Sequence, residues 1–248
     1  MKRTFLWMLI LCLTISGCSL FSPPEEPAKV QKEIIRYLKN KYGQEFVVVR
    51  EVRYNFELGK FSLIAQPKGN RSVTFAGFKS INGGFDDTYP VELWSKQSEE
   101  EIKPLIDQLY SPQERWKITS DVGTNESLYA ELDHKNLPDY QEIRKQHPDK
   151  MRSIVLIVLF KDLNESNKGE ELEKAFRLIQ FFREKGIQRF EIEISYYEER
   201  LLREKGRDIK VSGEYIDYLR HDIVLTHERA KKVRTPKDIE KYLVEYSR

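Results

Sequence analysis

Cysteine is nearly absent from this sequence of 248 residues. It occurs only as Cys12 and Cys18, both within the first 18 positions. A disulfide-stapled scaffold is therefore excluded for the remainder of the chain. A chain of this length without such cross-links has to be held together by an ordinary hydrophobic core. The composition allows one, since 40% of the residues are hydrophobic and 12% are aromatic.

An excess of charge of either sign is also lacking. The chain has 42 Lys and Arg against 40 Asp and Glu. A nucleic-acid-binding domain normally carries a clear basic excess. The balance therefore predicts that nucleic acid is not a partner.

Sequence motifs of common catalytic sites are missing as well. The sequence contains no Walker A, Gly-x-Gly-x-x-Gly or Gly-x-Ser-x-Gly pattern, which argues against phosphate-loop, dinucleotide-binding and α/β-hydrolase functions. His227-Glu228 begins like a zincin motif, but position 231 is Lys. We predict that the four histidines are structural, and they are His134, His147, His221 and His227.

Acidic and basic clusters give no specific site. Asp86 and Asp87 lie in a Gly-rich loop but lack the alternating ligands of a calcium loop, so a turn is favoured. Glu191 and Glu193 alternate along an expected strand, which predicts a solvent-facing row. A basic run could meet anionic wall polymer or lipid headgroups, although a solvated face is favoured. It comprises Arg229, Lys231, Lys232, Arg234 and Lys237. No catalytic, cofactor-binding or metal-binding residue is predicted.

The N-terminus carries the clearest signal in the sequence. Lys2 and Arg3 precede an apolar run of 11 residues, Phe5 to Ile15, that only Thr14 interrupts. This run is much shorter than the roughly 20 residues that span a bilayer as a helix. A basic start, a short apolar run and small residues before a cleavage point are typical of a secretory signal. An uncleaved anchor or a buried helix is the disfavoured alternative.

Ile15-Ser16-Gly17-Cys18 resembles the lipobox of bacterial lipoproteins. The resemblance implies that the Cys18 thiol receives a diacylglyceryl group and that signal peptidase II cleaves before Cys18. The mature protein would then be anchored on the extracytoplasmic face of the cell membrane. It could be neither a cysteine-nucleophile enzyme nor a Cys-ligated zinc protein, because its one cysteine would be lipidated.

Four segments are predicted along the chain. We expect a signal peptide over residues 1–17, a Pro-rich tether over 18–28, a small α+β unit over 29–92 and an α+β domain over 93–248. The small unit combines a helix over residues 27–42 with an antiparallel meander of three strands. This order is similar to that of small cystatin-like binding modules.

The predicted C-terminal domain is built on a mixed sheet. Residues 153–160 are continuously apolar or small, which predicts a strand buried on both faces. A helix over 170–185 and an alternating strand over 187–197 follow, so the three elements predict one βαβ unit with parallel strands. We also expect a helix that starts at a capping box at Ser98, and a hairpin over residues 116–132.

These expectations define a function class without naming a ligand. We expect a lipid-anchored extracytoplasmic binding or accessory protein of the cell envelope, without catalytic activity or cofactor. Its partners would be the membrane, through Cys18, and an envelope protein or the cell wall. The sequence resembles uncharacterised lipoproteins of Bacillus-like bacteria in its lipobox and in Tyr37-Leu38-Lys39-x-Lys41-Tyr42-Gly43 before a strand. A solute-binding lipoprotein of a transporter and an envelope enzyme are the alternatives.

Overall fold

The structure is a computed structural model that describes residues 23–111, 116–206 and 213–246. It contains helices with one antiparallel sheet of four strands and one mixed sheet of five strands. The predicted α+β class is confirmed. The chain divides into two units, of which the first ends at Tyr89 and the second begins at Pro90. Cys18 and the rest of the predicted signal peptide lie outside the described residues.

The first unit is one helix on a four-stranded antiparallel meander. Its elements are α1 (Pro27–Tyr42), β1 (Phe46–Asn55), β2 (Lys60–Pro67), β3 (Phe75–Ser80) and β4 (Phe85–Asp87), and the strand order is β1-β2-β3-β4.

Helix α1 forms where the helical spacing of apolar residues predicts it. Pro27 lies at its first turn, where a proline costs no intrahelical hydrogen bond. Its apolar stripe is buried against the sheet and consists of Val30, Ile34, Leu38 and Tyr42. Gly43 ends the helix in the left-handed conformation, with φ 67°.

The fourth strand was not predicted from the sequence. Residues 82–87 were expected to form a loop, but Phe85–Asp87 pair with β3, opposite Gly77, Phe78 and Lys79. The glycines of this segment form the turn that leads into β4, and Gly83 has φ 94°. Three residues are too few to show an alternating pattern, which explains why the strand escaped prediction.

Gly77 allows α1 to lie close to the sheet. A Cβ at this position would meet Ile34 Cγ2 at 2.9 Å and Leu38 Cδ1 at 3.5 Å. We expect Gly77→Ala to lower the free energy of unfolding by about 1–3 kcal/mol, because the helix would have to move away. Gly84→Ala is the matched control, since no heavy atom lies within 4 Å of its Cβ position. Denaturant midpoints of the two variants check this, and equal midpoints would contradict it.

The second unit surrounds the mixed sheet β5-β6-β7-β8-β9. Its helices are α2 (Tyr89–Leu109), α3 (Glu126–Tyr129), α4 (Tyr140–Gln146), α5 (Lys168–Glu184), α6 (Arg200–Lys205) and α7 (His227–Ala230), with 3₁₀ helices at Gly213–Tyr218 and Pro236–Tyr242. Its strands are β5 (Trp116–Thr124), β6 (Met151–Phe160), β7 (Phe190–Tyr197), β8 (Leu219–Leu225) and β9 (Leu243–Glu245).

The predicted βαβ unit is confirmed. Strands β6 and β7 are parallel, with Ser153 opposite Phe190 and Phe160 opposite Tyr197, and α5 connects them. The inward residues of β7, such as Ile192 and Ile194, pack in one core with Leu178 and Ile179 of α5 and with other residues of α2, β6 and β8.

Strand β6 is not buried on both faces, and that expectation was wrong. Val155, Ile157 and Leu159 are fully buried in the core, while Ile154, Leu156 and Val158 alternate with them and are only half-buried. A continuous apolar run hides this alternation, because both faces of the strand carry aliphatic side chains.

Two further local predictions were wrong. Ser98 does not begin a helix, since α2 starts at Tyr89, and the Ser98 hydroxyl accepts a hydrogen bond from Ser120 Oγ at 2.9 Å. Residues 116–132 do not form a hairpin, since β5 pairs antiparallel with β6 and the following segment contains the short helix α3.

No helix in the described part of the chain combines the length and apolar character needed to cross a bilayer.

Candidate functional site

An open groove runs along α1 of the first unit. It has a volume of about 740 Å³ and is lined by Glu33, Arg36, Tyr37, Asn40, Lys41, Lys79 and Phe85. We call it the α1 groove. The Tyr37 ring stacks on that of Phe85, with the centroids 5.1 Å apart and the planes at 16°. A flat apolar wall surrounded by a few polar groups is a common property of ligand sites.

A buried carboxylate, Asp87, holds two of the residues that line the α1 groove. Asp87 Oδ2 accepts hydrogen bonds from Lys41 Nζ at 2.8 Å and from the Tyr37 hydroxyl at 3.0 Å. Asp87 Oδ1 accepts from the Tyr42 hydroxyl at 2.7 Å and from the backbone N–H of Tyr89 at 3.0 Å. The Asp87 side chain is completely buried, whereas that of Lys41 is 20% exposed. One carboxylate therefore fixes two side chains of the groove wall.

Burial and hydrogen bonding shift the titration of these groups. Burial alone would lower the pKa of Lys41, but its hydrogen bonds to Asp87 and Tyr37 outweigh that effect and the pKa is raised. Burial raises the pKa of Tyr37. Burial and the nearby negative charge of Asp87 both raise the pKa of Tyr42. Lys41 is therefore a fixed cation at neutral pH, and both hydroxyls keep their protons.

Arg36 differs from the other two cations of the α1 groove. Lys79 Nζ lies 2.7 Å from carboxylate oxygens of both Glu25 and Glu33, and Lys41 is paired with Asp87. Arg36 makes no ion pair with a residue that the structure describes. Its guanidinium is thus the cation that a ligand of the groove would meet first, and guanidinium groups bind carboxylates and phosphates through paired hydrogen bonds.

Sequence reasoning missed this site because its parts are distant in the chain. Asp87 is 50 residues from Tyr37 and 46 from Lys41. The turn predicted at Asp86 and Asp87 was wrong, since Asp87 ends β4 and its carboxylate is buried. The spacing of Tyr37 and Lys41, four residues apart on one helix face, was the signal available in the sequence.

A second group of polar residues lies on the less buried face of the mixed sheet. Ser195 on β7 lies between Val158 on β6 and Asp222 on β8. Glu193 is two residues before Ser195 on β7 and therefore lies on the same face of the sheet. Asp222 is 6% exposed, and its Oδ2 accepts from the Tyr246 hydroxyl at 3.0 Å. Its Oδ1 is buried without a hydrogen-bond partner among the described residues.

The carboxyls of this face are less acidic than usual. Burial raises the pKa of Asp222. The pKa of Glu193 is also raised, mainly by burial and to a smaller extent by repulsion from the Asp222 charge. Glu191 and Glu193, which were expected to form a solvent-facing row, are only half-exposed. Carboxyls with raised pKa values often belong to functional sites, although structural networks produce them too.

Asp222 is expected to reduce stability at neutral pH. Because its pKa is raised on folding, the folded chain binds more protons than the unfolded chain, and stability falls as pH rises from 3.8 through the folded-state pKa. We expect Asp222→Asn to raise the melting temperature at pH 7, with the gain disappearing below pH 3.8. Melting curves across this range check the prediction, and an equal gain at every pH would contradict it.

The histidines and the basic run are dispersed over the second unit, and only His227 and Lys231 among their described members line a common groove. His221 lies on β8, His227 at the start of α7, and His147 is 3.7 Å from Glu131. In the ranges described, no three His, Cys, Asp or Glu side chains are placed to hold a metal ion. The five residues of the basic run are exposed. Lys231 also lines a second groove, of about 510 Å³, with Asp149, Arg183, Ile187, Gln188, Arg189, Phe190 and His227.

Comparison with known proteins adds one structural likeness. No protein-family model matches the chain, and no curated protein matches it. The chain is similar to the crystal structure of a DUF5037 family protein from Ruminococcus gnavus, with 17% sequence identity and a TM-score of 0.49. The match covers 86% of this chain and 98% of that chain.

Proposed function

We propose that this chain is a lipid-anchored extracytoplasmic binding protein of the bacterial cell envelope, and that it binds its ligand in the α1 groove. The lipobox ending at Cys18 supports the location. The observation that carries the binding role is the Tyr37–Phe85 stack that lines the groove with Arg36, together with the buried Asp87 carboxylate that fixes Tyr37 and Lys41. Side chains that are fixed in advance lose little freedom on binding, which favours affinity.

The ligand is expected to have one flat apolar face and one anionic group. The Tyr37 and Phe85 rings supply a surface for the flat face. Arg36 supplies the cation for the anionic group, and Asn40, which lines the same groove, adds an amide donor and acceptor. Acidic sugars and carboxylate-bearing peptides of the cell envelope have this chemistry. Catalysis is not part of the proposal.

Photo-crosslinking in intact cells tests the binding role. A photoreactive amino acid at Asn40 should give a specific adduct, because Asn40 lines the groove. The same amino acid at Glu173, an exposed position of α5, is the control. We expect the Asn40 adduct to disappear when Arg36→Ala and Phe85→Ala are combined. No adduct, or the same adducts from both positions, would contradict a binding role of the groove.

Asp222 and Glu193 lie on one face of the mixed sheet, on the neighbouring strands β8 and β7, and burial raises the pKa of both. This pair favours a second candidate, an envelope enzyme that uses the two carboxyls as acid and base. Its test is turnover of purified cell-wall material by the full chain. Turnover that Asp222→Asn abolishes would support this candidate over a binding protein, and its absence would leave the binding proposal as stated.

A further inference from the structure

Two neighbouring turns of the first unit carry large apolar side chains into solvent. Phe56 and Leu58 lie in the β1–β2 turn and are 68% and 67% exposed, and Ile81 follows β3 and is 48% exposed. We call these three residues the apolar tip. The turns are in contact, since the Ile81 N–H donates to the Gly59 carbonyl at 3.1 Å. Adjacent exposed apolar side chains of this size commonly mark an interaction surface.

The surroundings of the apolar tip fit a membrane surface. Arg53 and Lys60 flank the β1–β2 turn and are exposed, and neither forms an ion pair with a described residue. Glu57 is the acidic side chain within that turn. Apolar side chains bordered by cations are typical of segments that lie in the headgroup region of a bilayer containing anionic lipids.

The N-terminal end of the described chain lies at the same end of the sheet. Lys79 precedes Ile81 by two residues, and its ammonium pairs with Glu25 at 2.7 Å. Glu25 lies seven positions after Cys18. Seven residues span at most about 25 Å even when fully extended. An anchor at Cys18 would therefore hold this end of the first unit close to the bilayer.

We infer that the apolar tip docks on the bilayer in which Cys18 is anchored. The inference rests on the lipid anchoring proposed above. Phe56, Leu58 and Ile81 enter the headgroup region, and the exposed cations beside them meet anionic lipid. The tip is then a second contact that orients the first unit relative to the membrane, while the lipid at Cys18 provides the anchoring itself.

Site-specific fluorescence tests this inference on the lipidated full chain. Leu58→Cys is labelled with an environment-sensitive thiol fluorophore in vesicles that contain phosphatidylglycerol, since lipidation leaves Cys18 without a free thiol. Arg71→Cys is the control, because it is exposed in the turn between β2 and β3, at the opposite end of the sheet. Lipids with a nitroxide on the acyl chain should quench the probe at position 58 at least twofold more than the probe at position 71.

The outcomes separate the two proposals. If the protein floats with the vesicles but both probes are quenched equally, the tip does not dock and only the inference fails. A blue shift at position 58 without quenching would indicate a second copy of the chain on the tip and would also overturn it. If the chain without an added cysteine takes up label at Cys18 and does not float, anchoring and docking fail together.

Discussion

Asp87→Ala is expected to lower the free energy of unfolding of the first unit by about 3–5 kcal/mol, the cost of breaking a buried ion pair by removing one partner. The substitution removes four hydrogen bonds, from Lys41, Tyr37, Tyr42 and the backbone of Tyr89. It also leaves the Lys41 ammonium without its buried counter-charge. A whole domain is stable by about 5–15 kcal/mol, so this loss is a large part of the total.

Denaturant unfolding followed by circular dichroism measures the Asp87 effect. Glu51→Ala is the control in the same unit, because Glu51 is exposed on β1, and it should change stability by less than about 0.5 kcal/mol. Crosslinking from Asn40 should also decrease in Asp87→Ala, because Tyr37 and Lys41 are no longer fixed. If both variants unfold at the same midpoint, Asp87 is not the centre of a buried network.

Glu171→Ala is expected to have a comparable effect on the second unit. The Glu171 side chain is completely buried and accepts from Lys161 at 2.7 Å, Lys174 at 3.0 Å and the Tyr196 hydroxyl at 3.1 Å. Its removal takes the buried counter-charge from both lysines and leaves Lys174 paired with the exposed Glu170 at 2.9 Å. It also removes an acceptor from the buried Tyr196 hydroxyl. We expect a loss of about 3–5 kcal/mol.

Tryptophan fluorescence measures the Glu171 effect, since the tryptophans of the described chain, Trp94 and Trp116, belong to the second unit. The matched control is Glu173→Ala, two residues further along α5 and exposed. The control should melt within about 0.5 kcal/mol of the wild type. A Glu171 variant that melts with its control would show that the buried ion pairs contribute nothing measurable.

The regular elements were predictable where sequence periodicity is strong. Helix α1 has Pro27 at its start, Gly43 at its end and a clean apolar stripe, so both ends were predicted. The alternation of Phe190, Ile192 and Ile194 likewise predicted β7. Where periodicity is absent, prediction was incomplete. Strand β4 has three residues and was missed. Strand β6 was predicted as a strand, but its half-exposed face was not, because aliphatic residues lie on both faces.

The α1 groove was not predictable because long-range contacts assemble it. A carboxylate in the predicted turn, Asp87, becomes a buried acceptor only when β4 pairs with β3 and α1 lies across the sheet. Asp222 was missed for a related reason, since its burial depends on which face of the sheet it occupies. Ser98 shows the opposite error: a local capping motif lies inside a helix that begins nine residues earlier.

Lipid anchoring is the premise on which the proposed location and the membrane-docking inference depend. The most direct test is the mass of the mature chain purified from the membrane fraction of a bacterial host. We expect a chain that starts at Cys18, with the mass of a diacylglyceryl group on its first residue, and no such product from Cys18→Ala. A chain that starts at another residue, or one that starts at Cys18 with an unmodified thiol, would contradict it.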